Sequence, residues 1–299
     1  MYYVEEMTQS AIADALGIGR ITVVRLLAEA RSMSDVRISL SRDISDLAGL
    51  EIALQKRFGI VEAVVAPLSG VAGDVRAVIA GAAGEYVSRL LRPDMKIGLG
   101  WGETLSRMLG YLEEKAVPRL SVVSLLGGIL RARAANPAEC AWQFSRVYMA
   151  DCYMLAAPAI VDSRDTKRAL IERCGLGEVY ELAGSLDAVV VGVGGINSFH
   201  IARSYGLVSE QEVAELMARG AVGNMLYNFF DADGCLVDHS INGRAMSIPI
   251  ESLRKTPARI IAAGGADKVE AIAGACRLLK PTTLITDEVT GKAMVALPA

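Results

Sequence analysis

Four glycine-rich segments of this chain each follow an apolar run that reads as a β-strand: Gly98-Leu-Gly-Trp-Gly-Glu-Thr104, Gly127-Gly128, Gly192-Val-Gly-Gly-Ile196 and Gly264-Gly-Ala-Asp-Lys268. Glycines there let the backbone turn tightly, and a following helix presents N–H groups that no intrahelical carbonyl satisfies. Such amides hold anions or ligand oxygens. In the first segment the Thr104 hydroxyl adds a donor, and in the fourth Lys268 brings a compact positive charge to a helix start. Several turns converging on one rim around a single lysine suit a small anionic or polar ligand. None of the four has the dinucleotide-binding or P-loop spacing.

Acid–base catalysis needs a carboxylate, usually with a histidine, beside the reacting carbon. Asp231, Asp267 and Glu288 are available, and His200 is the histidine at a strand end. Each carboxylate also has a simpler assignment. Asp231-Ala-Asp-Gly234 lacks the remaining ligands of a calcium loop and reads as a turn between strands. Thr286-Asp-Glu288 reads as the capped start of a helix that reaches the same rim. His200, His239 and the scattered Cys140, Cys152, Cys174, Cys235 and Cys276 do not assemble a zinc site of ordinary composition, so neither metal nor cofactor is expected. Without a CxxC pair, the cysteines read as small buried apolar residues.

The elements that must position these segments begin at residue 59. Strand-like runs at 61–68, 96–99, 120–126, 152–156, 188–193, 259–263 and 283–285 alternate with helix-like stretches at 75–91, 103–115, 137–150, 163–173, 209–219 and 268–279. That rhythm predicts an α/β fold, a Rossmann-like doubly wound, mostly parallel sheet with helices on both faces. Residues 43–58 carry Leu47, Leu50, Leu54 and Phe58 on one stripe, as a connecting helix would.

Residues 8–31 read as two short helices around a tight turn: Thr8 caps the first, Gly17 stops it near Leu16, and the second runs from about Arg20. Val23, Leu26, Leu27 and Ala30 share its inner face, leaving Arg20, Thr22 and Arg25 for a DNA groove. Residues 36–40 alternate Val36, Ile38 and Leu40 with Arg37 and Ser39, as a wing strand does, and Arg42 closes the unit. From Ile18 to Arg42 five arginines oppose only Glu29 and Asp35, but Glu5, Glu6 and Asp14 upstream cancel that surplus, and Lys and Arg (31) fall short of Asp and Glu (34) over the chain. Any DNA contact is therefore local. A helical hairpin that merely packs on the rest of the protein remains an open alternative.

At 299 residues and 52% hydrophobic, the chain is long and apolar enough for a sizeable core and about two domains. Its longest stretch free of charged residues and histidine, 188–199, has 12 residues, short of the roughly 20 that a membrane-spanning helix needs. The opening MYYVEEMTQS has no basic start and no apolar run, so a cytoplasmic location is expected.

YYVEEMTQSAIADALGIGRITVVRLLAEAR followed by VRISL resembles the winged helix-turn-helix of the SorC family of bacterial sugar-responsive regulators. GLGWGETL, the LLGGI turn, DAVVVGVGGI, GAVGNMLYNFFDADG, IAAGGADKVEAI and LITDE resemble, in order, that family's effector-binding domain. The resemblance implies a domain related to phosphosugar isomerases and deaminases, now sensing a sugar, sugar phosphate or polyol, and a homodimer or homotetramer that binds operator DNA. It implies effector contacts at Gly98, Gly100, Trp101, Gly102, Glu103, Thr104, Gly128 and Lys268, with Gly194, Asp231 and Asp287 lining the same cleft. With Leu126 before the glycine pair and Lys268 as the main cation, a doubly phosphorylated effector is not expected. For DNA the implied positions are Thr8, Gln9, Arg20, Thr22 and Arg25, to which the wing adds Arg37. The expected organisation is a small, N-terminally truncated winged helix-turn-helix (1–42), a helical linker (43–58) and an effector domain (59–299). Two other readings stand beside it: a sugar-phosphate isomerase or deaminase, and an effector-binding oligomer with impaired DNA binding.

Overall fold

The computed structural model describes every residue except 3, 4, 6, 33–43, 69–73, 130–135, 198–206 and 299. The expected wing around Val36, Arg37, Ile38, Ser39 and Leu40, with Arg42, lies outside the described residues, as does His200. The chain divides into two compact units, Met1–Arg42 and Asp43–Ala299.

In the first unit, α1 (Gln9–Leu16) and α2 (Arg20–Ser32) form the expected helix pair. Ala11 N donates to the Thr8 hydroxyl oxygen at 3.1 Å, which caps α1. Gly17 ends it at φ 64°, where a Cβ would be strained. Ile12, Ala13 and Val23 are buried together, with Ile18 and Leu27 packed around them. The inner face of α2 is narrower than expected, because Leu26 is 47% exposed. Leu26 lies about 60° around the helix from Val23, on the side away from Leu27, and so short a partner helix covers only one flank.

The second unit opens with α3 (Ile44–Phe58), β1 (Glu62–Ala66), α4 (Val75–Leu90), β2 (Lys96–Leu99), α5 (Glu103–Met108), β3 (Ser121–Ser124), α6 (Pro137–Tyr148) and β4 (Asp151–Tyr153). There follow α7 (Arg164–Arg173), α8 (Gly177–Ala183), β5 (Ala188–Val191), β6 (Gly194–Gly195), α9 (Glu210–Ala218), β7 (Gly223–Met225) and β8 (Asn228–Phe230). The chain closes with α10 (Ser240–Arg244), α11 (Ile250–Leu253), β9 (Ala258–Ala262), α12 (Val269–Leu279), β10 (Thr283–Asp287) and α13 (Glu288–Ala296).

All the expected strand runs join one seven-stranded sheet, order β1-β10-β9-β5-β2-β3-β4, with every pairing parallel. Both faces are covered, which explains why the strands lack polar alternation. Val190, Ile260 and Ile285 pack with Ile79, Leu105 and Phe144 of α4, α5 and α6. Their chain neighbours Val191, Ile261 and Leu284 pack on the other face with Leu54, Ile272 and Met294 of α3, α12 and α13. The stripe on α3 thus belongs to the sheet's own core, with Leu54 fully buried.

A second, antiparallel sheet, β6-β7-β8, was not legible in the sequence. Its β7–β8 turn consists of Leu226 and Tyr227 at φ 53° and 58°. Two-residue turns with positive φ usually carry Asn-Gly, so the bulky pair gave no signal. Among the cysteines, Cys140 and Cys276 are buried as expected, whereas Cys174 and Cys235 are exposed. That corrects the expectation: the two stand in turns, one at the end of α7 and one after β8. Among the described residues, no helix is long and apolar enough to cross a membrane.

Candidate functional site

Because the strands are parallel, the segments after β2, β3, β5, β9 and β10 leave the sheet at one edge. From β2 the chain moves out to β3 and β4, then returns to β5 on the other side of β2 and continues to β9 and β10. In doubly wound sheets ligands enter at such a reversal. Here the turn after β2 is fastened to the end of β5: Gly100 N donates to Val190 O at 2.8 Å. A Cβ on Gly100 would lie 3.3 Å from Val190 O and 3.4 Å from Leu226 Cδ2. Gly102, at φ 131° before α5, faces open space instead.

Trp101 is half-buried and stacks on Tyr227, with ring centroids 5.6 Å apart and planes at 30°. Tyr227 sits at the strained hairpin tip, where positive φ at a bulky residue costs of order 1–3 kcal/mol. Asn228 holds that tip: its Nδ2 donates to Met225 O at 3.2 Å, Leu226 O at 3.1 Å and Ser247 Oγ at 3.0 Å. Sequence reasoning missed Tyr227, since no Gly or Asn marks the turn.

Lys268 ends a short 3-10 segment, Ala266–Lys268, and α12 starts at Val269, close to the expected helix start. Burial holds its ammonium below the usual lysine range; Asp267 and Glu103 favour the charge, and Arg76 opposes it. Glu103, first residue of α5, pairs with Arg76 Nε at 3.3 Å and Arg107 at 2.9 Å. Arg107 also pairs with Asp74, the N-cap of α4, and its hydrogen bond holds that carboxyl below the usual range. Arg76 and Asp74 escaped the sequence reading because they reach Glu103 and Arg107 from a different helix, whereas Glu103 and Arg107 are one turn apart on α5.

Gly264 and Gly265 abut the start of α13. Gly265 N donates to Thr290 Oγ1 at 2.8 Å, and the Thr290 hydroxyl in turn donates to Asp287. Thr290 N donates to Asp287 Oδ1 at 3.0 Å, so Asp287 caps α13. Thr286, expected to share the cap, belongs to β10, and its buried hydroxyl has no hydrogen-bond partner among the described residues. Asp287 is at the rim but fully buried, its carboxylate committed to Thr290.

The remaining sequence-derived positions divide. Thr104 follows Glu103 in α5 and is half-buried. Gly98 lies inside β2 rather than in the turn, and a Cβ there would stand 2.7 Å from Leu125 Cδ2. Gly127 N and Gly128 N donate to Met246 O and Ala157 O, both at 2.8 Å. Gly194 faces Asn224 across the small sheet. Asp231 does not join the rim. Its carbonyl lies against Gly274, roughly 9 Å along the α12 axis from Lys268 at 1.5 Å per residue. There Asp231 Oδ1 accepts from Cys235 N at 2.8 Å, the turn read from the sequence.

In the first unit, Arg20 and Arg25 are exposed and Gln9 and Thr22 half-buried. Arg37 lies outside the described residues.

A family described as "Putative sugar-binding domain" matches residues 42–296. The chain is 30% identical over 301 residues to the erythritol catabolism regulatory protein EryD of Brucella abortus, covering 100% of this chain and 95% of that one. It is 29% identical to the deoxyribonucleoside regulator of Bacillus subtilis, over 99% of this chain and 95% of the relative. The crystal structure of the full-length sorbitol operon regulator SorC of Klebsiella pneumoniae superposes with a TM-score of 0.78 at 27% identity, covering 98% of this chain and 95% of that one.

Proposed function

The chain belongs to the SorC family of sugar-binding transcriptional regulators, and from that premise we propose that it represses a carbohydrate or polyol catabolic operon under the control of a small effector. Residues 1–42 read operator DNA, residues 43–58 link, and residues 59–299 bind a sugar, sugar phosphate or polyol. The observation that carries this reading is the coexistence, in one chain, of a helix pair with exposed Arg20 and Arg25 and a rim where glycine turns meet the half-buried Lys268. Relatives that match nearly the whole chain are named for erythritol catabolism, deoxyribonucleosides and the sorbitol operon, which supports a polyhydroxylated effector.

In this mechanism α2 enters the major groove, and Arg20 and Arg25 contact phosphates. Effector binding shifts the balance between arrangements of a cytoplasmic homodimer or homotetramer, and DNA affinity changes by the coupling between the sites. We read the site as sensing rather than turning over its ligand: Asp231 stands away from the rim, and the Asp287 carboxylate bonds Thr290. The test is a gel shift with DNA upstream of the chain's own gene, at low salt and across a salt series. A shift that weakens steeply with salt and is relieved by one sugar or polyol is expected. Absence of any shift at low salt refutes the DNA reading.

A further inference from the structure

The outer face of α2 carries apolar side chains that the first unit leaves in solvent. At about 100° per residue, Ile21, Val24, Arg25 and Ala28 stand within about 100° of one another, turned away from Val23, which is buried with Ile12 and Ala13 of α1. Ile21 is 86% exposed and Val24 45%. A single exposed apolar residue is ordinary, but two β-branched side chains one helical turn apart make a stripe, and they add little to the small core behind them. Arg25 lies within that stripe and Arg20 on its flank, both exposed, so the face joins apolar contact to positive charge. The combination fits the major groove of DNA, where phosphates line the walls and the thymine C5-methyl is the apolar group on the base edges. Ile21 is the second residue of α2 and Val24 the fifth, and it is the first residues of a groove-entering helix that meet the bases. We infer that Ile21 and Val24 are specificity-determining residues: they read thymine methyl groups in the operator by direct apolar contact, while Arg20 and Arg25 hold the phosphates.

This rests on the operator reading above, and the experiment separates the two. DNA upstream of the chain's own gene would be synthesised twice, once with thymine and once with uracil throughout, which lacks only the C5-methyl. Both would be titrated with the full-length chain at low salt in the presence of unrelated competitor DNA. The native chain is expected to bind thymine DNA at least about tenfold more tightly, two methyl contacts at about fourfold each. Ile21→Ala combined with Val24→Ala should bring that ratio within about threefold and leave the melting temperature unchanged, since both side chains stand in solvent. Leu26→Ala, an exposed apolar residue on another side of α2, should keep the native ratio. Equal binding of the two DNAs by the native chain, or a ratio that survives the double substitution or falls as far in Leu26→Ala, overturns the inference and leaves the operator reading standing. A double variant that binds DNA as the native chain does but changes its oligomeric state on size exclusion assigns the stripe to a second copy of the chain, and also overturns it. No shift with either DNA overturns both.

Discussion

The turns after β2 and β3 begin alike, a buried strand running into glycines, yet their glycines serve different physics. At Gly127 the backbone of a neighbouring segment comes so close that a Cβ would stand 2.5 Å from Ala157 O and 2.7 Å from Pro158 O. The amides of Gly127 and Gly128 are spent on main-chain carbonyls. At Gly102 nothing crowds the missing side chain; the glycine is required by its φ of 131°. The turn after β3 is thus a joint in the scaffold, whereas the turn after β2 keeps a surface in front of it. Strand-end glycines alone do not tell these cases apart; what lies within a methyl group's reach does.

The largest effect should come from Gly127→Ala. Forcing two main-chain segments apart costs about 3 kcal/mol, read as a lower urea midpoint, with no ligand-specific defect beyond it. Next comes Lys268→Met, which should lower effector affinity at least about tenfold while raising the melting temperature of the unliganded chain at neutral pH. The sign follows from burial. The folded pKa of Lys268 lies below its unfolded value, so the charged lysine weakens the native fold at neutral pH. That penalty fades as pH rises through the folded value toward the unfolded one. The stability gained by the substitution should therefore shrink as pH rises from neutral toward the ordinary lysine value of 10.5. Gly102→Ala should cost about 1–3 kcal/mol of stability and weaken effector binding, the reverse emphasis to Gly127→Ala. The smallest change belongs to Gly128→Ala, whose Cβ would meet only Asn136 Oδ1 at 3.6 Å. A cost within about 0.5 kcal/mol there would assign the Gly127 effect to close approach rather than to lost glycine flexibility, and a large cost would erase the contrast.

How much was readable beforehand follows the same division between local and distant causes. The seven apolar runs, the caps at Thr8 and Gly17 and the start of a helix after Lys268 are set by neighbours in sequence, and the structure places them close to where the residues indicate. The edge on which the glycine turns gather follows from parallel strands, so it too was legible. What escaped depends on residues far apart in the chain: the Glu103, Arg76, Arg107 and Asp74 network, the stacking of Tyr227 on Trp101, and the bond from Gly265 to Thr290. Asp231 and Leu26 were misjudged for a related reason. A turn motif does not say which part of α12 it will touch, and a helical stripe does not reveal the width of its partner.

The chain has two tryptophans, Trp101 at the rim and Trp142, 51% exposed on α6. A phenylalanine at position 142 would leave one indole, resting against a tyrosine ring beside the proposed effector site. Its emission would then follow occupancy of the cleft without any attached dye, giving the molecule a built-in optical gauge.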